Sequence, residues 1–74
     1  ANDVTGAARA YLDTFSAAPE GPQAPDALFL LGRSLGRLGQ TNEACVTLGE
    51  VGVRFPQSQA APQAVSAMQN LGCS

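Results

Sequence analysis

The residues with the most definite chemistry in this 74-residue chain are two cysteines, Cys45 and Cys73. Histidine is absent, so histidine-based catalysis and histidine-ligated metal sites are excluded within the chain. Two cysteines without a histidine suit a disulfide far better than a metal centre. Their spacing is nothing like C-x-x-C, so the bond would be structural and not redox-active. The alternative is two unpaired thiols. A disulfide implies an oxidising compartment, and the periplasm is the expected one.

Other candidate chemistry is thinner. Serine and threonine hydroxyls are present, but no imidazole can activate them. No glycine-rich phosphate loop occurs, because Gly32, Gly36 and Gly39 recur at helical spacing and follow no strand pattern. An enzyme is therefore not expected, and neither a cofactor nor a metal is implied. Arg33 and Arg37 are four residues apart, which puts two fixed guanidinium donors on one helix face, suited to a carboxylate. With four Lys and Arg residues, six acidic ones and a net charge of −2, the basic footprint of a nucleic-acid binder is missing. No apolar run approaches the ~20 residues that span a bilayer. At 45% hydrophobic residues the chain has the composition of a folded domain, one at most. Ala1 in place of Met leads to the expectation of a processed or excised piece of a longer protein.

The elements that must position these groups read as helices. Val4, Ala8, Tyr11 and Phe15 lie at steps of three and four, as do Leu28, Leu31, Leu35 and Leu38. Ala44, Leu48, Val51 and Phe55 repeat the pattern, and so do Ala61, Val65, Met68 and Leu71. Each set makes one apolar stripe on one helix face, and the leucines of the second helix with Leu48, Val51 and Phe55 of the third are expected in the core. Pro25 and Pro62 suit first helical turns, Thr41 an N-cap, and Gly39 and Gly72 helix stops. Four helices are predicted, near residues 3–18, 25–38, 42–55 and 61–71. Gly49 and Gly52 are unusual inside the third. Either a neighbour approaches closely there or that helix is intrinsically weak.

A shift of 37 residues superimposes the chain on itself. Ala7 falls on Ala44, Tyr11 on Leu48, Pro19 on Pro56, and Pro25 on Pro62. Ala24, Ala27, Leu28 and Leu31 fall on Ala61, Ala64, Val65 and Met68. Asp13 and Glu50 correspond under the same shift, which makes them repeat partners and not a glycosidase carboxylate pair. Such self-similarity is the mark of a helical repeat array.

Residues 25–56 resemble a tetratricopeptide repeat, a helix–turn–helix unit of roughly 34 residues. Leu28, Leu31, Gly32 and Leu35 take the consensus places of its first helix. Ala44, Leu48 and Val51 take those of its second, and Pro56 the closing proline. The implied fold is all-α, a tetratricopeptide-like right-handed superhelix of about four antiparallel helices, with one full repeat and two half repeats. Gly32 would stand where the paired helices approach most closely, with Ala44 as the small residue opposite. In such repeats the first helices line a concave face. Carrying that arrangement over residue by residue gives Asp26, Phe29, Arg33, Gly36 and Arg37 from one helix. Gln63, Ser66 and Asn70 follow from the last. Phe29 is expected to offer exposed apolar area to a partner; the alternative is a solvated charged face.

The segment from Ala24 to Ala64 is more specifically similar to the C-terminal domain of the YbgF (CpoB) family of the periplasmic Tol-Pal system. Pro25-Asp26-Ala27 opens its helix, and Phe55-Pro56-Gln57-Ser58 with Ala61-Pro62 forms its joint between repeats. That resemblance implies a non-enzymatic periplasmic adaptor that binds TolA. The adaptor would link peptidoglycan synthesis to envelope constriction in division and trimerise through a coiled coil outside this segment. The alternatives are an adaptor for outer-membrane protein assembly, or a structural piece that only caps or oligomerises a longer chain.

Overall fold

The structure, a computed structural model, describes residues 3–73. Its four helices are α1 (Val4–Ala17), α2 (Ala24–Arg37), α3 (Thr41–Arg54) and α4 (Ala60–Leu71). Their ends are chemically determined. The Asp3 carboxylate accepts a hydrogen bond from the Gly6 N–H at 2.8 Å and so caps α1. Pro25 lies in the first turn of α2 beside Asp26, where a missing N–H costs nothing and a negative charge meets the positive helix end. Gly72 ends α4 in the left-handed conformation, with φ 75°. Thr41 does not cap α3; it is the first helical residue, and Gln40 occupies the cap without a side-chain bond.

The repeat seen in the sequence recurs in the backbone. The Gly21 N–H donates to Ala18 C=O at 3.0 Å and the Ala24 N–H to Gly21 C=O at 3.1 Å. The corresponding bonds of the second joint are Ser58 to Phe55 at 3.1 Å and Ala61 to Ser58 at 3.3 Å. The helices that precede these joints close on Ala18 and Phe55 with nearly the same torsions, φ −145° ψ 73° and φ −131° ψ 60°. They open alike too, on Asp3 (φ −93°, ψ 74°) and Gln40 (φ −89°, ψ 68°). The chain thus repeats helix ends and joints at the same spacing as its residues. The Phe-Pro-x-Ser joint now has a physical basis. Pro56 stops α3, and the Ser58 hydroxyl donates to Phe55 C=O at 2.7 Å, so one carbonyl accepts both donors of Ser58.

Short connections leave sequential helices side by side and antiparallel. α2 also touches α4, whereas α1 and α3 make no comparable backbone approach. Side chains bridge those two instead. The Phe15 and Phe55 rings meet edge to face at 6.5 Å, and the Arg54 guanidinium lies 5.8 Å from the Phe15 ring centre. Closer first helices and wider-set second helices curve the array toward α2 and α4.

The core gathers Leu28, Phe29, Leu48, Val51, Ala60 and Ala64, with Phe15, Phe55, Met68 and Leu71 packed around it. Gly32 is required by this packing. A Cβ there would fall 2.7 Å from Leu48 Cδ2, so α2 gives up a side chain to admit Leu48. Ala44 faces Gly36 more than Gly32; a Cβ at Gly36 would lie 3.7 Å from it. Of the two readings of Gly49 and Gly52, close approach fails. A Cβ at Gly52 would meet nothing, and one at Gly49 only the tip of Met68 at 3.9 Å. α3 simply carries two weak helix formers.

Two stripe residues are exposed, Leu38, which is expected in the core, and Val65. Leu38, the residue on which α2 ends, is 41% exposed. Val65 is 52% exposed although its repeat counterpart Leu28 is 6%. Leu28 lies under α3, while among the described residues nothing packs on the corresponding flank of α4.

Candidate functional site

Between α2 and α4 lies an open hollow of about 600 Å³, within the range of ligand-binding clefts. α2 contributes Phe29, Arg33, Gly36 and Arg37, and α4 contributes Gln63, Ser66, Ala67, Asn70 and Leu71. On each helix these positions recur at three or four residues, so each wall is one helix stripe. The two stripes converge where Leu71 meets Gly36. A Cβ at Gly36 would lie 3.1 Å from Leu71 Cδ2, so the glycine lets the two first helices draw together.

Seven of the eight residues expected to form a groove line this hollow, and Asp26 does not. It sits exposed in the first turn of α2, one turn before Phe29. Phe29 lines the hollow but differs from expectation in exposure. At 9% it belongs to the core cluster and forms a floor, with little free area to offer. Ala67 and Leu71 complete the lining. The spacing 63, 66, 67, 70, 71 marks them as one stripe, but Leu71 also fits the core pattern, and that assignment masked its second role.

The hollow is electrostatically one-sided. Among the described residues its lining holds two guanidinium groups and no carboxylate. Arg33 lies 5.8 Å from the centre of the Phe29 ring, which steadies its guanidinium by cation–π attraction. Among the described residues the ion pair is Arg54 with Glu50, at 3.6 Å; Arg33 and Arg37 are unpaired. A second hollow of about 610 Å³, lined by Pro19, Glu20, Arg54 and Phe55, contains one charge of each sign. No catalytic constellation is built into the first hollow. Its side chains can stack, donate and accept hydrogen bonds, and attract an anion.

The disulfide closes nearby. Cys45 in α3 and Cys73 beyond α4 are bonded, with Cα atoms 5.8 Å apart. Cys73 follows Leu71 by two residues, so the bond holds the end of the α4 wall against the array.

Paired antiparallel helices repeating at a fixed period, with a concavity between the first helices of successive units, define a helical-repeat protein. Residues 26–58, a little under half of the chain, match the family described as tetratricopeptide repeat, which supports a tetratricopeptide-containing domain. The match begins near the start of α2 and ends on Ser58 of the joint, covering one full unit. No curated protein and no solved structure is significantly similar to the chain.

Proposed function

We propose that this chain is the non-catalytic interaction module of a periplasmic adaptor of the Tol-Pal type, and that the α2–α4 hollow receives a segment of its partner. The hollow carries the reading: an apolar floor, amide and hydroxyl groups on one wall and, on the other, two arginines with no ion-pair partner among the described residues. Tetratricopeptide repeats serve in general as surfaces for protein partners, which agrees with a concavity lacking reactive groups. The Cys45–Cys73 bond supports an oxidising compartment. The Phe55-Pro56-Gln57-Ser58 joint supports the YbgF-like assignment, with TolA as the expected partner and division-linked peptidoglycan synthesis as the setting.

Site-specific photo-crosslinking to purified TolA tests the reading. A crosslinker replacing Ser66, in the hollow, is expected to give an adduct. One replacing Val53, 75% exposed and outside the hollow, is expected to give none. Adducts at Val53 alone would move the surface elsewhere, and none at either position would remove TolA as the partner.

A further inference from the structure

We infer that the α2–α4 hollow selects an acidic, extended peptide, one whose carboxylate pairs with Arg33 and Arg37 while a neighbouring aliphatic side chain rests on Ala67 and Leu71. This deepens the interaction-module reading and rests on it. Charge favours an anionic ligand. The chain is acidic overall, with net charge −2 and four basic residues, yet two of those four line one hollow that has no carboxylate among the described residues. Arg54 shows the contrast, since Glu50 already neutralises it. A site whose cations lack internal partners presents its full potential to a ligand.

Geometry favours a carboxylate on a peptide. Arg33 and Arg37 are one helical turn apart and face the same space. Each guanidinium offers a planar fork of donors that matches a carboxylate. Phe29 holds Arg33 in place before binding, which reduces the ordering cost that a free arginine would incur. Across the hollow, Gln63 and Asn70 supply amides that both donate and accept. A peptide backbone needs both kinds of partner. Two cations in an acidic chain are too few to hold a nucleic acid through its phosphates, and the apolar floor would then lie unused.

Amide spectra of the 74-residue chain titrated with three short peptides test this. The probes alternate leucine with glutamate, glutamine or lysine. The Glu/Leu peptide is expected to shift the amides of Arg33, Gly36, Ser66 and Asn70. Its affinity should fall about tenfold in Arg33→Gln/Arg37→Gln and fall again as salt is raised. Arg33→Lys/Arg37→Lys should keep part of the binding, and Arg54→Gln all of it. Equal binding of the Gln/Leu peptide in the same hollow would overturn the acidic preference and leave the groove standing. Tighter binding of the Lys/Leu peptide would also overturn it. No shift in the hollow with any probe would remove both the preference and the groove.

Discussion

Breaking the Cys45–Cys73 bond is expected to lower the stability of the domain by about 3.5 kcal/mol. The bond closes a loop of 28 residues, and the chain-entropy model gives a cost of that size for returning the loop to the unfolded ensemble. In a domain this small that corresponds to a fall in Tm of roughly 15–25 °C. The effect should concentrate in α4. The buried side chains of that helix are Ala60, Ala61 and Ala64, which bring little apolar area, while Met68 and Leu71 are half-buried. Small domains commonly supplement a thin core with such a staple. Thermal unfolding of the oxidised chain, the reduced chain and Cys45→Ala/Cys73→Ala measures the loss, and the double variant separates the bond from any effect of the reductant. A fall of less than about 5 °C would show that packing alone holds α4. Hydrogen exchange should then also find the α4 amides unchanged.

The second large effect is expected at Leu48. It is 1% exposed and fills the space that Gly32 leaves open. Leu48→Ala should cost about 3 kcal/mol, the sum of lost transfer energy and a cavity. The contact also fixes the sign of a second substitution. In the parent chain Gly32→Ala should destabilise by about 1–2 kcal/mol, since overpacking against Leu48 outweighs the gain in helix propensity. In the Leu48→Ala background the obstructing atoms are gone, and Gly32→Ala should stabilise by about 0.5–1 kcal/mol. Gly52→Ala, in open space, should stabilise by a similar amount in either background. Chemical denaturation of the four-member cycle measures the coupling. Additive values for Gly32 and Leu48 would mean that α2 and α3 do not meet at this pair.

Helix positions were legible because apolar spacing records which face of a helix is wet. The tandem organisation was legible because prolines and alanines recur at one period, and the joints at Ala18 and Phe55 confirm it in hydrogen bonds. What periodicity does not record is whether a neighbour covers a given face. Leu28 and Val65 occupy equivalent positions, and only the helix beside each decides which is buried. Phe29 shows the same limit. It lines the hollow while the bulk of its side chain is core, and no one-dimensional pattern separates a floor from a wall. Asp26 was drawn in by its stripe position, but a stripe extends the whole helix and the hollow does not. The Asp3 cap carries little signature in the sequence, because Asp-x-x-Gly lacks the acidic or amide residue that marks a capping box.

The account rests on successive units stacking so that α2 and α4 lie side by side. Nuclear Overhauser contacts between leucine methyls and glycine Hα protons test that directly. Leu48 methyls should contact Gly32, and Leu71 methyls should contact Gly36, as their atoms approach in the structure. Finding the first contact without the second would contradict the account. The α2–α3 hairpin would then exist, but no stacked neighbour would close the hollow.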